Sequence, residues 1–375
     1  IAADVYRPAA IEQLVTLAGA REELRFPGFA AKPYLSINRG FTAPVSIERE
    51  VAPEELVFLA AHDDDPFARY EAMQELAAGY LVEAAKGRLD GAARTAGREA
   101  LGTALGAILA DPALDDLMRG ELMILPNHTF IAERIDRSDP AAIHAEREAL
   151  KGWLGGQLET ELAEMHERAS AVPFAHSAEA KGARKLKTQA LVYLAAAHPE
   201  LAAQMAAAQY DAADNMTDRQ GALMVLAGLE DPGREAKLAD FYDRYRGNAL
   251  VIDKWFTTQA LSLHPDVFRQ AQALAEHEEF TLRNPNRVRA LYMAFAANAH
   301  AFHRADGAGY RWVADLILAL DPINPQTAAR FVSPFGRWRR LEEGRAALMR
   351  AELERIAGAE KLSRDTYEQV ARSLA

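Results

Sequence analysis

His300 and His303 stand three residues apart with Asp306 just beyond, a spacing that on a helix could offer two imidazoles and a carboxylate to a metal ion. The flanking sequence lacks the partners that orient metal-bound histidines, so surface or turn histidines are the better reading. His62-Asp63-Asp64-Asp65 carries the charge for a cation but not the alternating oxygen ligands and distant Glu of a calcium loop. Helix capping by Asp65 explains it instead. Arg337-Trp338-Arg339-Arg340 could stack on and clamp a nucleic acid, yet a solvated basic face beside Glu342 and Glu343 accounts for it. Two further arginines follow prolines that read as helix starts: Arg289 in Asn284-Pro285-Asn286-Arg287-Val288-Arg289 and Arg330 in Asn324-Pro325-Gln326-Thr327-Ala328-Ala329-Arg330. Both are either ordinary surface residues or planar forks aimed at carboxylates from a concave face, and periodicity leaves the two readings open.

The motifs of standard catalytic centres are absent: no His-Glu-x-x-His, no Gly-x-x-x-x-Gly-Lys-Ser/Thr, no Gly-x-Gly-x-x-Gly and no Gly-x-Ser-x-Gly. No catalytic residue, metal ligand or cofactor site is therefore assigned. With no cysteine there is no disulfide framework and no thiolate site, which fits a reducing compartment. The 43 Lys and Arg against 54 Asp and Glu give a net charge of −11, which argues against binding the phosphate backbone of a nucleic acid. No run approaches the ~18 apolar residues that a membrane-spanning helix needs, and the N-terminus has no signal-peptide pattern.

The elements that must position these residues change character along the 375-residue chain. Gln13-Leu14-Val15-Thr16-Leu17, Glu23-Leu24-Arg25-Phe26 and Lys32-Pro33-Tyr34-Leu35-Ser36-Ile37 are short, partly alternating runs between Gly and Pro and read as β-strands. Too few to close a sheet, they resemble the tail of a β-sandwich, and residues 1–48 are expected to be its remnant. The chain also opens on Ile1 rather than Met, which suits a processed or excised piece of a longer protein.

From about residue 49 to 375 the apolar period becomes helical, as in Phe67, Tyr70, Met73, Leu76 and Tyr80. Helix starts are marked by a polar residue and a proline: Asp65-Pro66, Asp111-Pro112, Asp139-Pro140, Asp231-Pro232, Asn284-Pro285 and Asn324-Pro325. Thr217-Asp218-Arg219-Gln220 reads as a capping box. Many short helices without a fixed sequence repeat predict a mainly α fold, an irregular α-solenoid or superhelix of the HEAT or armadillo kind.

The helical part resembles the C-terminal region of bacterial aminopeptidase N, the alanyl aminopeptidase family of zinc metallopeptidases. The resemblance rests on Arg39-Gly40-Phe41-Thr42-Ala43-Pro44-Val45, Asp65-Pro66-Phe67-Ala68-Arg69-Tyr70-Glu71-Ala72, Asp214-Asn215-Met216-Thr217-Asp218, Asp253-Lys254-Trp255-Phe256, Phe280 to Arg289, and Asp306-Gly307-Ala308-Gly309-Tyr310, in this order. It implies a helical cap that closes over an active site built elsewhere in the same polypeptide. The zinc and its ligands, the segment that holds the substrate amine and the catalytic Tyr would all lie in that other part. It further implies that Arg289 and Arg330 line the substrate chamber and meet the C-terminal side of a bound peptide. The expected partners are the catalytic and β-domains of the same chain and peptide substrates, in the cytoplasm. An independent α-solenoid that binds a peptide or protein is the rival reading.

Overall fold

The computed structural model describes residues 12–25, 29–45 and 47–375. No strand forms among them, which corrects the expectation of paired strands before residue 48. The reason is physical: a strand holds its shape by exchanging N–H and C=O bonds with a neighbour, and none is available among the described residues. Phe26 of the second run lies outside the described residues. The described residues before 48 are irregular apart from a 3-10 turn at Arg39–Phe41, with Leu14 84% and Leu17 73% exposed. Its attachment to the helices is local. Arg39 pairs with Asp63 at 2.7 Å and with Asp64, the Gly40 amide donates to Asp65 Oδ2 at 3.0 Å, and Phe41 meets Phe67 at 5.0 Å between ring centres.

The remainder is helical: α1 Pro53–His62, α2 Pro66–Ala85, α3 Gly91–Ala110, α4 Asp116–Leu122, α5 His128–Ala132, α6 Pro140–Gln157, α7 Glu159–Ser170, α8 Ala178–Ala197, α9 Pro199–Ala212 and α10 Met216–Gly228. Then follow α11 Arg234–Tyr245, α12 Ala249–Ala260, α13 Val267–Ala275, α14 Pro285–Val288, α15 Ala294–Ala297, α16 Ala299–Phe302, α17 Ala308–Leu320, α18 Pro325–Arg330, α19 Glu343–Ala357 and α20 Arg364–Leu374. Successive helices pack mostly on their neighbours in the chain, as a solenoid does. No helix among the described residues is long and apolar enough to cross a membrane.

Local chemistry explains most of the starts. Asp65, Asp139, Asn284 and Asn324 cap α2, α6, α14 and α18 through their side chains, each followed by a proline that has no N–H to leave unpaired. Two of the expected starts differ. Asp111 spends its carboxylate on the Ala113 amide and on Arg69, so α4 begins later, capped by Asp115. Asp231 likewise folds back on Gly233, and α11 starts at Arg234. The expected box at Thr217 sits two residues earlier: Asn215 accepts from the Asp218 amide at 3.0 Å, and the Asp218 carboxylate accepts from Asn215 Nδ2 at 2.8 Å. Asp218 wins because it is also anchored to Lys187 at 2.9 Å.

Two apolar cores result, one over Leu56–Ala202 and one over Leu191–Val370, with α8 shared between them. Leu186, Ala190, Tyr193 and Leu194 of α8 belong to the first and Leu191 to the second. The link between α5 and α6 is tied to the segment before α19 by the one isolated bridge among the described residues: the Ser138 amide donates to the Arg340 carbonyl at 2.8 Å, and the Glu342 amide to the Ser138 carbonyl at 2.9 Å.

Close packing of α6 on α8 requires glycine at 155, where a Cβ would stand 2.3 Å from the Tyr193 carbonyl oxygen; at Gly156 it would meet nothing within 4 Å. Gly155→Ala should therefore destabilise the chain by about 1–3 kcal/mol in denaturant unfolding, while Gly156→Ala should be neutral or stabilising by up to about 1 kcal/mol. Equal effects would refute the close approach.

Candidate functional site

The segment carrying Arg289 is one helical run with a widened turn. It opens as α14 on its Asn284 cap, passes through a π turn at Arg289–Met293 and resumes as α15. Such a turn re-aims side chains and disturbs the carbonyl ladder, and the Thr257 hydroxyl donates to the Ala290 carbonyl at 3.0 Å. Tyr292 is pinned by stacking on Trp312 at 4.2 Å.

The two neighbouring arginines of this run have opposite environments. Arg287 is 2% exposed; its Nε donates to Asp253 at 2.6 Å, its Nη1 to the Glu279 carbonyl at 2.6 Å, and its guanidinium lies 4.8 Å from the Phe256 ring centre. Arg289 is exposed, and its one side-chain hydrogen bond among the described residues goes to the Asn286 side chain. Arg330, at the last residue of α18, is also exposed, and its guanidinium has no hydrogen-bond or ion-pair partner among the described residues. No bond joins Arg289 to Arg330. Their elements do converge on one cavity of about 420 Å³: Met293, one turn beyond Arg289, lines it, as does Ser333, whose hydroxyl donates to the Arg330 carbonyl at 2.9 Å.

The same cavity is walled by His128, His303, Phe302, Arg337 and Arg340. His303 turns inward to Tyr310, with Nδ1 2.8 Å from its hydroxyl, and stacks at 6.0 Å on His128. His300 stacks on His144 at 4.4 Å, and Asp306 binds Arg304 and the Ala308 amide. His303 is therefore a turn residue, as expected, but its ring is turned inward and partly buried. Burial pushes His303 down to about 3 and His128 to about 4. No group of three or more His, Asp or Glu among the described residues could hold a metal ion.

The remaining sequence candidates are structural. Asp65 caps α2 as expected, while Asp63 and Asp64 hold Arg39. The arginines of the basic run are exposed, as expected, and they also clamp neighbouring segments. Arg337 pairs with Glu133 at 2.8 Å, Arg340 donates to the Glu133 carbonyl at 2.8 Å, and Trp338 and Arg339 donate to the Ser373 carbonyl at 2.9 and 3.0 Å. Sequence reasoning overlooked Arg287, Thr257, His128 and His144. Their partners lie 8 to 175 residues away, and no local pattern marks them.

This fold, a stack of short helices with no catalytic motif of its own, is that of a helical repeat domain. Residues 53–375 match the family described as a domain of unknown function (DUF3458_C) with ARM repeats, and the chain belongs to it. More particularly, it corresponds to the C-terminal helical domain of aminopeptidase N homologues. It is 36% identical over 365 residues to Aminopeptidase N of Caulobacter vibrioides, covering 96% of this chain and 42% of that protein. Against Aminopeptidase N of Escherichia coli it is 33% identical over 371 residues, 97% of this chain and 42% of the relative. The crystal structure of Legionella pneumophila aminopeptidase A in complex with aspartic acid superposes with a TM-score of 0.80 at 28% identity, over 90% of this chain and 40% of that one. The chain thus spans about two fifths of the length of these relatives.

Arg287→Ala should cost about 3–5 kcal/mol in denaturant unfolding, since it strands Asp253 and the Glu279 carbonyl. Arg289→Ala should change stability by less than about 0.5 kcal/mol. A comparable loss at Arg289 would show that it too is a structural residue.

Proposed function

We propose that this chain is the helical cap of a cytoplasmic aminopeptidase that removes N-terminal residues from peptides, and that it shapes and gates the catalytic chamber without breaking bonds. The observation that carries the reading is the contrast between Arg287, saturated with protein partners, and Arg289 and Arg330, exposed and available. Two available guanidinium groups on elements that share a cavity suit the carboxylate at the far end of a peptide, which they would bind by charge-assisted, planar contacts. The names of the curated relatives and the length of them that this chain spans support a larger parent polypeptide.

In this reading residues 1–48 belong to a β-sandwich completed by other parts of the parent, and residues 49–375 form the cap. The exposure of Leu14, Leu17, Tyr34, Leu35, Phe41 and Val45 supports it, because apolar side chains of this size in one segment call for a covering surface. The described residues offer no donor set for zinc, so the metal of such a parent enzyme would be held outside this chain. Here the residues act on the substrate's far end only: they orient a peptide and restrict entry to short ones.

The test uses the full-length parent enzyme. Arg289→Ala or Arg330→Ala should lower kcat/KM for peptides about 10- to 150-fold, the equivalent of a charge-assisted bond worth about 1.5–3 kcal/mol, and spare small amides that lack a C-terminal carboxylate. Equal losses on both substrate types at unchanged thermal stability would refute the carboxylate role.

A further inference from the structure

The two helical cores meet along a seam, and four histidines cross it in two stacked pairs. His128 on α5 faces His303 just beyond α16, with ring centres 6.0 Å apart and planes at 20°. His144 on α6 faces His300 on α16, at 4.4 Å and 28°. Each pair takes one ring from either side. His303 Nδ1 lies 2.8 Å from the Tyr310 hydroxyl, and the His128 ring is hydrogen-bonded to the Pro140 backbone carbonyl; His128 Nε2 is buried without a partner.

The seam is poorly prepared to receive positive charge. His128 faces Arg147, His144 and His303; His144 faces Arg147, Lys151, His300 and Glu148; His300 faces Arg304 and Glu148; His303 faces His128, Arg345 from α19 and Tyr310 from α17. The nearby carboxylates are already engaged: Glu148 by Lys151 at 2.7 Å, Asp306 by Arg304 at 2.8 Å, Asp139 by Arg345 at 3.0 Å and Glu133 by Arg337 at 2.8 Å. Two imidazolium rings in a pair would repel each other, and only the Pro140 carbonyl, the Tyr310 hydroxyl and the already paired Glu148 face them to offset it.

Little packing opposes separation. A cavity of about 420 Å³ lies against His128 and His303, and another of about 580 Å³ against His144, His300 and His303. Besides the rings, the seam is held by the bridge between Ser138 and Leu341, by Arg340 on the Glu133 carbonyl and by the ion pairs of Arg337 and Arg345.

We propose that the four-histidine seam is an acid-sensitive latch: neutral, stacked imidazoles hold α5 and α6 against α16, and protonation of either pair releases them. This goes beyond the proposed function and does not depend on it. The sign follows from linkage. In the released state a histidine titrates near 6.5, whereas burial lowers His303 to about 3 and His128 to about 4 and also lowers His144 and His300. The closed form therefore binds fewer protons than the open one. Closure is complete above about pH 6.5 and weakens as the pH falls from there toward about 4.

Hydrogen exchange of the 375-residue chain at pH 7.5 and 5.0, corrected for the intrinsic rate, tests it. Peptides covering α5, α16 and residues 337–345 should speed up on the order of tenfold or more in acid, while α8 and α9 should not. The double variant His144→Phe and His300→Phe keeps two stacked rings that cannot be protonated and should lose the share of that acceleration that this pair contributes, leaving the share of His128 and His303. If circular dichroism shows that the double variant is not folded, His300→Asn takes its place, since the His300 side chain keeps an exposed edge. Acid acceleration that is the same in α8 and α9, absent at the seam, or undiminished in the folded variant would overturn the latch.

Discussion

A helix ends in four carbonyls that have no partner within it, and a stack of short helices repeats that requirement at every turn. In this protein the recurrent answer is an arginine from further along the chain. Arg69 donates to the carbonyls of Ala60 and Ala61 at the end of α1, Arg119 to those of Ile108 and Asp111 at the end of α3, and Arg219 to those of Tyr210 and Ala213 at the end of α9. Arg234 does the same for Ala227 at the end of α10, and Arg345 for His303 just past α16. Asn298 performs the task at the end of α12, with Nδ2 on the carbonyls of Ala260 and Ser262. A guanidinium suits this work because it carries five donors in a fixed fork and remains charged when buried. The cost of taking that charge out of water is offset only when every donor is used. The arrangement therefore fixes how one helix meets the next more than it adds net stability.

The same constraint gives meaning to the arginines that escape it. Arg287 is consumed by Asp253 and Glu279, and the π turn that follows sends Arg289 outward two residues later. Arg330 closes α18 with its backbone carbonyl engaged by Ser333 and its side chain in solvent. The exposed guanidinium groups of Arg289 and Arg330 have the chemistry to read an anion, and the proposed function supplies a peptide carboxylate for them.

How much was legible in the sequence followed how local the physics was. Asp65, Asp139, Asn284 and Asn324 announce their helices because a cap acts within three residues. Asp111 and Thr217 misled, because Arg69 claims the first from 42 residues away and Asp218, anchored by Lys187, moves the second cap to Asn215. The strand pattern before residue 48 records side-chain alternation but not the presence of a neighbour, so it could not reveal that no ladder forms among the described residues. Arg289 and Arg330 stood out by their place after capped prolines, while the histidine pairs were illegible: each joins residues more than 150 positions apart.

What meets the carboxylate of a peptide in the proposed function is measured most directly by a structure of the full-length parent enzyme with a slowly cleaved peptide in place. That function predicts guanidinium nitrogens of Arg289 or Arg330 at about 2.7–3.2 Å from the terminal carboxylate oxygens. A carboxylate held by other residues, with both arginines turned to solvent, would contradict it.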